Sequence, residues 1–154
     1  MLSIDRDLTL LFTALSAACD VRVRQRLADA GHPQVRTIYG YVFQHLVIGP
    51  TKVTDLADLL GMTPQGASKV ITEMERAGYV SRYTDPNDSR VRVIELTEHG
   101  QHAIDEGRKA RAEVTAELLG VLGPRAEAFL EQLNALSDHT NALPEMMARR
   151  LRPH

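Results

Sequence analysis

A change of hydrophobic period within residues 51–97 restricts the fold of this chain more than any other feature. The segment VTDLADLLG has helical spacing, with Thr54 as a plausible N-cap and Gly61 as its stop, and Thr63 can cap a further helix that has Pro64 in its first position. Two alternating runs, YVSRYT and VRVIELT, follow at once, and the turn-forming residues DPNDSR join them. Two short helices with a tight glycine-containing turn, followed by a β-hairpin, predict a winged helix-turn-helix.

Helical periodicity continues on the N-terminal side of this unit. Apolar residues recur at three- and four-residue steps through residues 4–27, which predicts a helix that Gly31 ends. A second helix is expected to have Pro33 in its first turn and to stop before Gly49, and it is apolar on several sides. We therefore expect this second helix to lie at the centre of the fold.

Two more helices are predicted after the hairpin. Thr97 can cap a long helix that Gly123 and Pro124 interrupt, and one last helix carries apolar residues from Ala126 to Leu143. Aromatic residues make up only 5% of the chain and Trp is absent, so the core must be aliphatic, which suits packed helices. The expected fold class is mainly α (α+β).

Charge and cysteine content exclude several classes of protein. The net charge of −2 gives no general positive field, so any nucleic-acid binding would depend on a few accurately placed cations. The one cysteine, Cys19, cannot form an internal disulfide, and Asp5, Arg6 and Asp7 interrupt the apolar core that a signal peptide needs. No apolar run approaches the roughly 18 residues of a membrane span. The sequence thus predicts a soluble, cytoplasmic protein without a membrane partner.

Motifs for catalysis are missing from the sequence. It has no glycine-rich phosphate loop, no nucleophile elbow and no HExxH pattern. His99 and His102 are spaced i, i+3, but they lack a neighbouring cysteine or a clear set of carboxylates. We therefore expect a protein that is not an enzyme and that needs no catalytic residue, metal or cofactor.

The second helix of the helix-turn-helix unit has the two faces that DNA recognition requires. Burial is expected for the apolar faces of both helices, formed by Leu56, Leu59 and Leu60 in the first and by Ala67, Val70, Ile71, Met74 and Ala77 in the second. The outer face of the second helix, with its cap, gives the candidate DNA contacts Thr63, Gln65, Gly66, Ser68, Lys69 and Thr72. Gln can bond adenine, Lys can reach guanine or phosphate, and glycine permits a close backbone approach. The alternative is a merely solvated face, but the neighbouring helix and hairpin favour DNA.

The predicted hairpin adds arginines to this surface. Arg90 lies at the end of the turn, and Arg82 and Arg92 lie in the flanking strands. An arginine at a hairpin tip can enter a narrow minor groove, where the negative potential is enhanced. Asp88, two residues earlier, can hold that arginine in place or order the turn. A surface hairpin with ordinary charges is the alternative interpretation.

Residues 54–100 resemble the DNA-binding core of the MarR family of bacterial transcription regulators, which are small winged-helix dimers. Four motifs carry the likeness: Ser68-Lys69, Glu75 through Ala77-Gly78-Tyr79-Val80 with Arg82, the wing Asp85-Pro86-Asn87-Asp88-Ser89-Arg90, and Leu96-Thr97-Glu98-His99-Gly100. By this resemblance, Asp88 and Arg90 occupy the acid and arginine of the wing, and Gln65, Ser68 and Lys69 the groove-facing positions. Lys69 stands where the family often has Arg, which keeps phosphate binding but weakens the case for a bidentate contact.

The resemblance also implies a domain organisation and partners. Residues 1–154 would form a single regulator domain, with a DNA-binding lobe at 34–100 and a helical dimerisation region at 1–33 and 101–154. The partners would be a second copy of the chain and a pseudo-palindromic double-stranded operator. The long apolar faces of the predicted terminal helices agree with dimerisation, although the same faces could close a monomeric bundle.

Most members of that family repress genes and release DNA on binding a small aromatic or phenolic compound. The resemblance therefore implies an effector pocket, for which the candidate lining residues are Arg22, Arg26, Tyr39, Tyr41, Phe43 and His45. Packing in the core explains the aromatic residues equally well.

Two other functions stay open at this point. Glu73 and Glu75 in the presumed recognition helix fit a winged-helix protein that binds a protein partner and no DNA. A regulator that senses redox state through Cys19 is the other, although no Tyr lies near Cys19 in the sequence and an inert buried thiol is favoured.

Overall fold

The computed structural model describes residues 4–148, and it is mainly helical with one small antiparallel sheet. The helices are α1 (Leu8–Asp29), α2 (Thr37–Leu46), α3 (Val53–Leu60), α4 (Pro64–Arg76), α5 (Glu98–Leu122), α6 (Ala126–Thr140) and α7 (Ala142–Ala148). The strands are β1 (Thr51–Lys52), β2 (Val80–Asp85) and β3 (Asp88–Leu96), and short 3-10 turns occupy Ile4–Arg6 and Gly123–Arg125. The predicted mainly α class and the winged helix-turn-helix are confirmed.

The sheet has the order β1-β3-β2, with β2 and β3 forming the predicted hairpin. The sequence analysis did not predict β1, whose residues Thr51 and Lys52 pair with Ile94 and Val93 of β3. A two-residue strand is too short to show an alternating pattern, so only the tertiary pairing reveals it.

The helix boundaries near the N-terminus differ from the prediction. Helix α1 begins at Leu8 because the Asp7 carboxylate accepts a hydrogen bond from the Leu10 amide at 3.1 Å, which caps the helix. Helix α2 begins at Thr37, so the expectation that Pro33 lies in its first turn is wrong; Pro33 lies in the α1–α2 loop.

Helix α3 also differs from its prediction. It begins at Val53 with no side-chain cap, so the predicted capping role of Thr54 is wrong. Leu59 is 42% exposed, and Ala57 is fully buried in its place. Leu56, Ala57 and Leu60 form the side of α3 that faces the core, and Leu59 lies outside it, because burial follows position on the helix as well as side-chain hydrophobicity.

The core lies between α2, α3, α4 and the sheet, so the second helix is central as predicted. Its main buried side chains are aliphatic and aromatic, namely Tyr39, Val42, Phe43, Leu46, Leu56, Leu60, Ile71, Met74, Tyr79, Val80, Ile94 and Ala103. Ala67 is also fully buried, whereas Val70 and Ala77 are half-buried. The predicted inner face of α4 is therefore confirmed, and it holds the outer face in a fixed orientation.

Helix α5 connects this lobe to the terminal helices. Its buried residues are mostly small and recur at helical spacing: Gly100, Ala103, Gly107, Ala110 and Val114. Ion pairs then join α5 to α1, from Arg22 to Glu117 at 3.1 Å and from Arg26 to Glu117 at 2.7 Å. The small buried side chains of α5 permit its close approach to α1.

The last predicted helix consists of two helices. Asn141 has a φ of 53° and separates α6 from α7, so Leu143 and Pro144 belong to α7 and not to the end of α6. Asn is one of the few residue types that tolerate this left-handed conformation, which is common at helix ends. Within residues 4–148, no helix combines the length and the apolar character that crossing a membrane requires.

Candidate nucleic-acid interface

The start of α4 is built by a cap and a glycine. Thr63 accepts a hydrogen bond from the Gly66 amide at 3.1 Å, and Pro64 occupies the first turn, as the sequence predicted. A Cβ atom on Gly66 would lie 3.1 Å from the Thr63 hydroxyl oxygen and 3.4 Å from the Met62 methyl carbon. Gly66 therefore leaves room for the Thr63 cap. Its close backbone approach to DNA stays a prediction.

Two residues of the outer face are available for intermolecular contacts. Gln65 and Lys69 are exposed, and neither side chain has a hydrogen-bond or ion-pair partner among residues 4–148. Ser68 is half-buried between them, and its carbonyl accepts a hydrogen bond from the Thr72 hydroxyl at 2.8 Å. The first two turns of α4 thus present an amide, a hydroxyl and an ammonium group to solvent.

Thr72 and Arg82 are already engaged with each other. The Arg82 guanidinium donates to the Thr72 hydroxyl at 3.3 Å and lies 3.6 Å from the Glu75 carboxylate. Arg82 Nε is buried and has no hydrogen-bond partner among the residues that the structure describes. Because this network joins α4 to β2, both residues are placed to fix the angle between the helix and the hairpin.

The second acidic residue of α4 is also paired. Glu73 forms a hydrogen-bonded ion pair with Arg36, whose guanidinium carbon lies 5.0 Å from the centre of the Tyr39 ring. Arg36 immediately precedes α2. Sequence reasoning missed this pair because 37 residues separate the partners and no local pattern connects them. Both acids of α4 therefore have cationic partners within the chain.

The hairpin turn is tighter than predicted. Only Pro86 and Asn87 lie outside the strands, so Arg90 is not at the tip but within β3. The register changes between Thr84, which pairs with Arg92, and Asp85, which pairs with Asp88. Arg90 thus lies in a bulged segment of β3, a feature that bends a strand and redirects its side chains.

Two carboxylates order this turn through the backbone. Asp85 accepts a hydrogen bond from the Asn87 amide at 2.8 Å, and Asp88 accepts one from the Arg90 amide at 3.0 Å. Of the two roles predicted for Asp88, the structure shows the ordering of the turn and no contact with the Arg90 guanidinium. Asp residues favour such local bonds because their side chain is short.

The arginines of the hairpin differ in availability. Arg92 donates to the Thr84 hydroxyl at 2.8 Å and to the Ser89 carbonyl at 3.1 Å, which ties the two strands together. Arg90 is exposed, and its guanidinium has no partner within residues 4–148. Arg90 is therefore the hairpin cation that is free to contact a ligand.

The predicted effector residues are spread over several environments. Arg22 and Arg26 bind the carboxylates of Glu113 and Glu117, and these hydrogen bonds lower the pKa of Glu117. Tyr39 and Phe43 are buried in the core, whereas Tyr41 and His45 are half-buried. The two arginines are thus neutralised by α5, which leaves less of their charge for an anionic ligand.

Two open clefts flank α1 and α4. One of about 600 Å³ is lined by Phe12, Thr13, Ser16, Ala17, Asp20 and Thr37. The other, of about 270 Å³, is lined by Gln34, Tyr39, Glu73, Arg76 and Ala77. Tyr39 is the one predicted effector residue among these lining residues. Cys19 is a free, half-buried thiol on α1.

Comparisons with known proteins agree with this geometry. Residues 47–91 match the MarR family model, whereas a search of curated proteins finds no match. The chain is similar in structure to the YusO protein from Bacillus subtilis, with a TM-score of 0.70, 21% identity, and coverage of 92% of this chain and 99% of that one.

Two further structures have similar folds. A mutant of S. aureus MepR bound to an oligodeoxyribonucleotide gives a TM-score of 0.62 at 21% identity, covering 88% of this chain and 96% of that one. The PcaV transcriptional regulator from Streptomyces coelicolor, in complex with its natural ligand, gives a TM-score of 0.60 at 16% identity. This match covers 90% of this chain and 96% of that one. The match to the family model covers β1, α3, α4, β2 and the first residues of β3.

Proposed function

We propose that the chain is a transcriptional regulator that binds operator DNA through α4 and the hairpin. The observation that carries this proposal is the division of charge on α4. Glu73 and Glu75 are paired with Arg36 and Arg82, whereas Gln65 and Lys69 have no partner within residues 4–148. The groups left for an external ligand are those that suit base edges and phosphates.

The proposed contacts fall into three kinds. Gln65 and Ser68 read base edges in the major groove, and Lys69 contacts phosphate. Arg90 contributes its free guanidinium to the minor groove beside the hairpin. Thr63, Gly66, Thr72, Arg82 and Asp88 position these groups through the cap, the α4–β2 network and the ordered turn. In MepR the same fold is bound to an oligodeoxyribonucleotide.

We propose that the functional unit is a homodimer, built from residues 1–33 and 101–154 around lobes formed by residues 34–100. The described helices of that region expose many large apolar side chains, including Leu8, Leu10, Phe12, Leu15, Val121, Phe129, Leu136, Leu143, Met146 and Met147. A second copy is the occupant that would cover such faces, because an apolar patch of this kind on a monomer marks an interaction site.

Repression relieved by a small aromatic or phenolic effector is the finer form of this proposal. Its support is the ligand complex of PcaV and the clefts beside α1 and α4. The Phe12 cleft has a more apolar lining, and Asp20 and Thr37 supply polar groups. A redox function through Cys19 receives no comparable support, since its thiol is a lone half-buried group.

A gel-shift and footprinting experiment on the DNA upstream of the chain's own gene tests the proposal. We expect salt-dependent binding and a two-fold footprint with half-sites about 10 base pairs apart, one helical turn. Lys69→Ala should weaken binding, whereas Lys109→Ala on α5 serves as a matched control of equal charge change. No retardation at low salt, or equal losses from both variants, would favour the protein-interaction alternative.

A further inference from the structure

Three histidines from distant parts of the sequence meet between the α1–α2 loop and α5. His32 is 1% exposed, and its Nε2 lies 2.7 Å from Nδ1 of His102. The His32 ring centre is 4.6 Å from that of His99, and His99 stacks on Tyr79 with the ring centres 4.8 Å apart. A buried histidine packed against two others is sensitive to protonation, because charged forms repel at these distances.

The contact between His32 and His102 has a specific proton requirement. At 2.7 Å, one of the two facing nitrogens must donate a hydrogen and the other must offer a lone pair. If both rings are protonated, two N–H groups face each other and the bond is lost. The other ring nitrogen of His32, Nδ1, is buried and has no hydrogen-bond partner among the described residues. A second proton on the His32 ring would put N–H groups on both nitrogens, and the charged donor at Nδ1 would have no acceptor among the described residues.

The groups that face His32 come from two elements. His99, His102 and Glu106 belong to α5, and Tyr79 belongs to the junction between α4 and β2. Burial is the main cause that lowers the pKa of His32, the two histidines lower it further, and Glu106 opposes them. Burial and the nearby Tyr39 raise the pKa of Tyr79, so that ring stays neutral. Within residues 4–148, no group of three or more ligating side chains could hold a metal here.

The cluster lies at the joint between the helical region and the winged lobe. The Thr97 hydroxyl donates to the Gly78 carbonyl at 2.6 Å, and the Thr97 amide donates to the Tyr79 carbonyl at 3.2 Å, so α5 starts against the end of the α4 segment. His32 is fixed on the other side by its amide, which donates to the Leu27 carbonyl of α1 at 2.7 Å. The histidines thus join α1 to the element that orients α4.

We propose that His32, His99 and His102 form an acid-sensitive latch between the α1–α2 loop and the start of α5, at the point where α5 contacts the winged lobe. The latch is closed when His32 is neutral, and protonation of His32 opens it by separating the α1–α2 loop from α5. The effect on DNA binding rests on the proposed function, but the latch itself does not. Opening loosens the orientation of α4, so acidification should weaken operator binding, although added positive charge by itself would strengthen it.

Thermal unfolding between pH 7.5 and pH 5.5 tests the latch without DNA. His32 has a lowered pKa in the folded chain, so its contribution to stability is complete above the ordinary value of 6.5 and is lost as the pH falls through the folded value. The Tm of the wild type should fall by about 3 °C more than that of His32→Gln or His32→Phe over this interval. His139→Gln, which changes an exposed histidine of α6, is the matched control and should follow the wild type. Equal falls in the wild type and both His32 variants would overturn the proposal.

Imidazole NMR of the wild type covers the case in which neither His32 variant folds. His32 should stay neutral at pH 6.5, and a protonated His32 in the folded chain at that pH would overturn the latch.

Operator affinity is measured at pH 7.5 and pH 5.5 and at fixed salt, where the wild type should lose about fivefold more affinity on acidification than His32→Gln. Absence of DNA binding at either pH, with the Tm difference intact, supports the latch and contradicts the proposed function. An equal pH dependence of affinity in the two proteins contradicts the coupling to α4.

Discussion

Single residues of α4 and the hairpin differ in how many of their hydrogen bonds the chain already uses. Thr63, Thr72 and Arg82 contact other parts of the protein, whereas Gln65, Lys69 and Arg90 have side chains without partners within residues 4–148. Substituting the first kind changes the shape of the interface, and substituting the second kind removes a contact with the ligand. The two kinds can be separated by comparing stability with affinity.

Gln65→Ala and Lys69→Ala should affect DNA binding in different ways. Loss of Gln65 should relax base preference at one position of each half-site and cost about 1–3 kcal/mol there, because a bidentate contact disappears without a change of charge. Loss of Lys69 should weaken binding to all sequences and reduce the salt slope by about 1. Affinities for the operator and for single-base variants over a salt series distinguish the two. Sequence-selective losses of the same size from both changes would mean that the roles are assigned wrongly.

The ordered turn predicts an unusual response at Asp88. Its side chain accepts a hydrogen bond from the Arg90 amide, and an Asn side chain can accept the same bond. Asp88→Ala should therefore weaken operator binding by about 1 kcal/mol, although it removes a negative charge near DNA, whereas Asp88→Asn should retain most of the affinity. A double-mutant cycle with Arg90→Ala at fixed salt measures the coupling. Strictly additive effects, or tighter binding by Asp88→Ala, would show that Asp88 does not position Arg90.

Among the elements, α5 has a crowded start, because it begins directly against the lobe. A Cβ atom on Gly100 would lie 2.1 Å from the Tyr79 carbonyl oxygen, which is backbone and cannot rotate away. A Cβ atom on Gly120, near the other end of α5, would have no other heavy atom within 4 Å among the described residues. One helix thus contains a crowded glycine and an open one, and the two can serve as each other's control.

Gly100→Ala should destabilise the protein by about 3 kcal/mol, since the helix must move away from Tyr79. Gly120→Ala should instead stabilise it by about 0.5–1 kcal/mol, because alanine is the better helix former. Denaturant unfolding of both variants and the wild type provides the measurement. If the two substitutions shift stability equally, the proposed crowding at the start of α5 is contradicted.

For the whole molecule, assembly determines how the two lobes would meet DNA. A paired substitution, Leu15→Glu with Leu136→Glu, places charge on α1 and α6 where both side chains are about half exposed. We expect this variant to sediment as a monomer at micromolar concentration and to lose two-fold operator protection, because a dimer interface cannot bury unpaired carboxylates at low cost. Ile48→Glu introduces the same chemistry in the α2–β1 loop and should stay dimeric. A wild-type protein that is a folded monomer would contradict the dimer outright.

The sequence by itself determined the elements whose signals are local. Local patterns predicted the winged helix-turn-helix and the order of its elements, because capping and periodicity act within one or two turns. These patterns are the helical and alternating periods, the caps Thr63 and Thr97, and the helix-ending glycines Gly61 and Gly123. The outer face of α4 also followed from its spacing, and the hairpin followed from the two alternating runs that DPNDSR joins.

Tertiary structure decided everything that depends on contacts between distant segments. Such contacts pair Arg36 with Glu73 and Arg82 with Thr72. The strand register places Arg90 in a bulge of β3 and not at the tip of the hairpin, and the pairing with β3 defines β1. Tertiary structure also brought His32 beside His102, 70 residues away. No local pattern specifies such pairs, because a charged or imidazole side chain finds its partner only after packing has fixed which faces of the helices meet.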